Sequence, residues 1–278
     1  MRKVNTYEGF ILDIDGVLRR GGKPIPGAAE TVRKLRQMNK KIVFLSNLST
    51  KSREEYIETL RKIGIDVTPE DLVLATSATA AYVTAHSKSK KVYWIGSRGL
   101  RRELEKAGLI IVDNPEEAEF IVAGSPFDEN GYVTEENRWK FTGAIRAILL
   151  AKAKFVAVNP DRLFPGSDGK PIPGTGTFLG AITAATGVEP TIIGKPSPLI
   201  FKVALDKLGL PSEKVVMVGD QIDTDILPAK KLGLTTVLVL TGLTSREDLE
   251  RLDESKRKAI DYVFNSIRDV LRLIQTGG

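Results

Sequence analysis

Apolar runs of three to five residues recur along the chain, most of them closed by Gly, Asp, Ser or Asn, with helix-like spacing between them. The run at 10–14 reads as a buried strand broken at Gly16. Pro26 and Gly27 open a helix through about Met38, with Ala29, Val32 and Leu35 along one stripe. The run at 41–45 predicts a second strand ending at Ser46 and Asn47. Ser52, followed three residues later by Glu55, predicts a capping box for a helix to about Ile63. Strand, helix, strand, helix predicts a parallel sheet with right-handed crossovers.

Beyond Ser77 the pattern shifts but stays α/β. Helices are expected at 78–86, 100–107 and 135–150, and strands at 91–95, 120–123 and 155–158. A Pro- and Gly-rich loop at 159–176 then leads into a helix through Thr186. A second alternating series follows, with strands at 191–193, 215–218, 236–240 and 262–264. The simplest arrangement is an α/β core made of 1–77 and 188–278, interrupted by a smaller α/β unit at 78–187.

Composition narrows the chemistry. The chain has 278 residues and no Cys, which excludes thiolate catalysis, Cys-ligated zinc and disulfides. Its only histidine, His86, lies in a polar stretch, so a multi-histidine metal cage is also excluded. What remains is carboxylates, Lys, hydroxyls and a hard metal ion. The net charge of +6 is spread among acidic residues, and no aromatic residues interleave with basic ones, so a nucleic-acid partner is not expected. No apolar run is long enough to span a bilayer and no signal core opens the chain; a cytoplasmic protein without a membrane partner is the expectation.

Four strand ends carry the candidate chemistry. Asp13 and Asp15, two residues apart, share one face if the strand continues; together they suit a cation and a division of labour between nucleophile and proton carrier. An isolated Asp-x-Asp is equally a turn-forming pair. Ser46 and Asn47 offer a hydroxyl and an amide to an anion, or simply a turn. Lys195, between Gly194 and Pro196, is fixed at a loop and makes a better anion clamp than a solvated helical lysine. Asp220, Asp223 and Asp225 follow the apolar run at 215–218, where a helix-capping cluster is the other reading. The 174–176 Gly-Thr-Gly lacks the spacing of a phosphate-binding loop and reads as a turn into a helix.

Taken together, these four segments resemble the haloacid dehalogenase-like superfamily. Asp13-x-Asp15-Gly16-Val17, Ser46, Lys195 and Gly219-Asp220 with Asp225 are similar to its four motifs, in order. Asn159-Pro160-Asp161, the 173–176 segment and the 194–198 segment are similar to its NagD-like phosphatases. The resemblance implies a Rossmann-like parallel-sheet core with an inserted α/β cap domain. It also implies a Mg²⁺-dependent phosphomonoesterase acting on a small phosphorylated metabolite, with Mg²⁺ on Asp13, the Asp15 carbonyl and Asp220. Asp13 would be the nucleophile and Asp15 the general acid/base. Ser46, Lys195 and the amides near Gly16 would hold the phosphate, and Asp225 would support the metal or orient Lys195. Asn47 is grouped with the phosphate contacts, Asn159 and Asp161 are assigned to substrate recognition, and Asp223 to capping or the surface. A homodimer through the cap is a further expectation. A phosphotransferase or mutase on the same core and a non-catalytic small-molecule binder stay as alternatives; a dehalogenase would not need Asp15.

Overall fold

Most of the apolar runs become strands of two parallel sheets. The computed structural model describes residues 7–165 and 170–275. In chain order the strands of the two sheets are β1 (Gly9–Asp13), β2 (Lys41–Ser46), β3 (Leu72–Leu74), β4 (Lys91–Ile95), β5 (Ile110–Ile111) and β6 (Phe120–Ala123). They continue with β7 (Lys154–Ala157), β8 (Thr191–Ile192), β9 (Val215–Gly219), β10 (Thr235–Val239) and β11 (Tyr262–Phe264). The chain divides into two compact units. One comprises 1–46, 56–73 and 196–278; the other comprises 47–55 and 74–195. The second is wider than the expected insertion at 78–187.

The first unit is built on a six-stranded sheet in the order β11-β10-β9-β1-β2-β3. Every residue of β1 and β9 is buried, as expected of parallel strands covered on both faces. Register fixes which residues leave the sheet together: Asp13 lies beside Leu45 of β2, and Leu12 beside Val218 of β9. Asp13, Ser46 and Asp220 therefore emerge at one C-terminal edge, where open α/β sheets bind ligands. The expected first helix is Ala28–Gln37; it buries Ala28, Val32 and Leu35, with Ala28 replacing Ala29 in the stripe.

The second unit has a five-stranded parallel sheet in the order β8-β7-β6-β4-β5. Tyr93, Ile121 and Phe155 from this sheet form its core with Ala144, Phe178 and Ile182 of the helices Lys140–Leu149 and Thr175–Thr186. The predicted capping box is present: the Ser52 N–H donates to Glu55 Oε2 at 2.8 Å, and the Glu55 N–H donates to Ser52 Oγ at 3.4 Å.

Three expectations are corrected here. The run at 191–193 read as the opening of the returning core, but β8 pairs with Val156 and Ala157 of β7 in the second sheet. The helix expected over 135–150 is broken into a 3₁₀ turn, Glu135–Asn137, and the helix from Lys140. There Asn137 Oδ1 accepts the Gly96 N–H at 2.9 Å and Asn137 Nδ2 donates to the Gly96 carbonyl at 2.8 Å, a use of the side chain that competes with regular helix. The loop expected at 159–176 contains an antiparallel ribbon, Leu163–Pro165 with Pro171–Pro173; its residues 166–169 lie outside the described residues.

Candidate active site

The chain leaves β1 at Asp13, which is only 4% exposed. A tight turn follows, closed by the Leu18 N–H on the Ile14 carbonyl (2.8 Å) and the Gly16 N–H on the Arg19 carbonyl (2.7 Å). Gly16 sits at φ +86°, and a Cβ there would fall 2.4 Å from the Asp220 carboxylate, so both backbone conformation and space demand glycine. The Thr241 hydroxyl donates to the Gly16 carbonyl at 2.5 Å.

Asp220 follows β9 and is buried; its Oδ2 accepts the Leu243 N–H at 2.7 Å. Beyond it, 222–226 forms a π-helical turn in which Ile222 and Ile226 pack with Leu238 and Ala259. Burying those two isoleucines turns Asp225 inward and Asp223 outward. Asp225 is fully buried, its Oδ2 accepting the N–H groups of Asp220 (3.2 Å) and Gln221 (3.1 Å). Asp223 pairs instead with Lys256 at 2.6 Å on the surface.

Asp13, Asp220 and Asp225 each offer an oxygen within 4.8 Å of the others, and all three are buried. Three carboxylates held this close away from water call for a compensating positive charge. The donor set is all oxygen, which fits a hard divalent cation such as Mg²⁺.

The Asp15 side chain does not join that group. It accepts from Arg19 Nε at 2.8 Å and Nη2 at 3.3 Å, and from the Tyr56 hydroxyl at 3.3 Å. Burial works against the Arg19 charge, but Tyr56, Asp15 and Asp13 outweigh it and raise the guanidinium above its ordinary pKa. Burial, reinforced by Asp15, pushes the Tyr56 phenol well above its usual value. Ser46, buried at the end of β2, hydrogen-bonds the same Tyr56 side chain. Sequence reasoning missed Arg19, Tyr56 and Thr241. Only Thr241 had a readable signal, since it follows an apolar strand as the other site residues do.

The second unit gathers Asn47, Asn159, Asp161 and Lys195. Asn47 Oδ1 accepts the Lys195 N–H at 2.7 Å, while Asn47 Nδ2 donates to the Lys195 carbonyl at 2.9 Å and to both Asp161 oxygens at 3.3 Å. Asn159, with no exposed surface, donates through Nδ2 to the Asn47 carbonyl at 2.6 Å and accepts the Asp161 N–H at 3.2 Å.

A parallel sheet whose central strand delivers a buried carboxylate beside two more defines an α/β enzyme run by carboxylate chemistry. Residues 10–110 match the haloacid dehalogenase-like hydrolase family, and 192–270 match a second HAD-hydrolase-like family description. The acid sugar phosphatase of Staphylococcus aureus (strain USA300) is 35% identical over 268 residues, 96% of this chain and 98% of the relative. Among solved structures, the p-nitrophenyl phosphatase of Archaeoglobus fulgidus is 45% identical with a TM-score of 0.86, covering 96% of this chain and 98% of that one. NagD of E. coli K-12 is 30% identical with a TM-score of 0.81, covering 94% and 97%. The chain belongs to the haloacid dehalogenase-like hydrolases, in their NagD-like branch, and is a phosphatase. Among the described residues, no helix is long and apolar enough to cross a membrane.

Proposed function

We propose that this chain is a Mg²⁺-dependent phosphomonoesterase that hydrolyses a small phosphorylated metabolite, in the first instance a sugar phosphate, through an aspartyl-phosphate on Asp13. The observation that carries the reading is the buried Asp13 at the end of β1, grouped with Asp220 and Asp225. The names of the relatives support the substrate class: one is an acid sugar phosphatase and another a p-nitrophenyl phosphatase. Held by Asp13, the Asp15 carbonyl and Asp220, Mg²⁺ would supply the positive charge that lets an anionic ester approach an anionic nucleophile. Asp13 attacks phosphorus, and the ester oxygen leaves with a proton from Asp15. Asp15 then takes a proton from the water that cleaves the acyl phosphate; both transfers require it to exchange its bonds to Arg19 and Tyr56. Ser46, Lys195 and the amides near Gly16 bind the phosphoryl oxygens, and Asp225 holds the Asp220 backbone. In this reading 1–77 and 188–278 form the catalytic core, and the insertion at 78–187 is the cap that selects the leaving group.

A panel of phosphate esters assayed with Mg²⁺ tests the proposal, repeated with Asp13→Asn and Asp15→Asn. Turnover of at least one sugar phosphate by the native protein, and its loss in Asp13→Asn, is the expected result. Retained activity in Asp13→Asn protein shown by mass spectrometry to be free of deamidation would remove the nucleophile.

A further inference from the structure

Asn47 uses its amide on the chain itself. A carboxamide has two N–H donors and one carbonyl acceptor. Here the acceptor takes the Lys195 N–H, and the nitrogen reaches the Lys195 carbonyl and the Asp161 carboxylate. One side chain thus bonds both the N–H and the C=O of a single residue 148 positions away, as a neighbouring strand would. The clamp fixes the direction in which Lys195 leaves the backbone. Its neighbours sharpen the effect. Pro196 restricts Lys195 to extended backbone, and a Cβ on Gly194 would fall 2.6 Å from Asn47 Oδ1 and 2.5 Å from the Val158 carbonyl. Asn159, wholly buried, holds the Asn47 carbonyl from the other side and orients Asp161.

We infer that Asn47, Asn159 and Asp161 are positioning residues that set the Lys195 backbone, and that they do not contact the substrate. The inference rests on Lys195 being the phosphate clamp of the proposed reaction. It separates cleanly from a role in substrate recognition. A residue acting through Lys195 affects the phosphoryl group, which every ester shares with free phosphate. A residue touching the leaving group affects each ester differently.

The experiment compares inorganic phosphate as an inhibitor with two substrates of unlike leaving group, 4-nitrophenyl phosphate and a hexose phosphate. In Asn47→Ala, the phosphate inhibition constant and both KM values should rise by the same factor, about tenfold. In a Lys195→Ala background the same change should add almost nothing. Unequal factors for the two esters, or a full further loss without Lys195, would overturn the inference. Should Asn47→Ala fail to fold, Asn47→Asp decides: it still accepts the Lys195 N–H but sets an acceptor against the Lys195 carbonyl. The same equal rise in the phosphate inhibition constant and both KM values supports the clamp; unequal factors, or no rise, refute it. If the native protein turns over no ester and calorimetry shows Lys195→Ala binding inorganic phosphate as tightly as the native protein, the phosphatase mechanism fails instead of the clamp.

Discussion

The acid cluster of the first unit and the lysine clamp of the second both sit at the C-terminal ends of parallel strands, yet they are built by opposite means. Around Asp13, Asp220 and Asp225 the charges are concentrated, and the surrounding bonds come from backbone N–H groups. Around Lys195 the work is done by uncharged amides, with Asp161 as the carboxylate bonded to them. The difference teaches where each region is vulnerable. In the cluster, replacing a carboxylate by the isosteric amide keeps the shape and removes the charge, so function should fail before folding. In the clamp, the amides carry no charge and the direction of each of their hydrogen bonds is what matters.

The largest effect tests the first half of that contrast. Asp13→Asn preserves the volume at the end of β1 and removes the nucleophile, so kcat should fall by about a thousandfold or more while thermal unfolding stays close to the native protein. A large drop in melting temperature with modest loss of rate would show that Asp13 is a structural acid. Next comes Asp220→Asn. The amide oxygen can still accept the Leu243 N–H, so the loop should hold. The Mg²⁺ concentration giving half-maximal activity should rise by about 10–100-fold, measured by titration after chelation. An unchanged Mg²⁺ requirement would take Asp220 out of the metal site.

How much of this was legible beforehand follows from what each feature depends on. β1 and β9 are runs of buried residues, and the acids that end them could be read from the chain because burial and strand termination are local. β8 has only two residues, so nothing in it specifies which sheet it joins; pairing with β7 decides. Leu72–Leu74, three residues long, is also too short to be read as a strand from the sequence. Arg19 reaches Asp15 because a ribbon, Arg19–Arg20 with Lys23–Pro24, follows the first turn, and Tyr56 reaches it from a helix. Both are tertiary facts. Asn47 could be read as a polar residue after a strand, but no local pattern says that its amide meets the Lys195 backbone.

A smaller effect compares fasteners within the second unit. Glu119 accepts bonds from the N–H groups of Lys88 and Ser89 and the hydroxyls of Ser87 and Ser89. The Ser89 N–H leads in lowering its pKa to about 2 from the ordinary 4.5. Because the folded pKa is depressed, the stabilisation is fully present above about pH 4.5 and is lost as pH falls toward 2. Glu119→Gln should destabilise by about 1–2 kcal/mol at pH 7, allowing for solvent screening. The gap in unfolding free energy from native should narrow between pH 5 and pH 3. A gap that stays constant with pH would mean that the bonds, and not the charge, hold that turn.

The smallest effect is the sharpest control on the acid cluster. Asp223 and Asp225 share one π-helical turn, two residues apart, and a sequence offers no reason to rank them. Burial of Ile222 and Ile226 separates them: Asp225 has no exposed surface, whereas the Asp223 side chain is 70% exposed and meets Lys256. An exposed pair of this kind contributes about 0–1 kcal/mol, because water screens the charges and holding two flexible side chains costs entropy. Asp223→Asn should therefore leave kcat, the Mg²⁺ requirement and the melting temperature near their native values. If it raised the Mg²⁺ requirement as Asp220→Asn does, proximity to the loop and not inward orientation would be setting the metal site, and the contrast drawn from the two isoleucines would be lost.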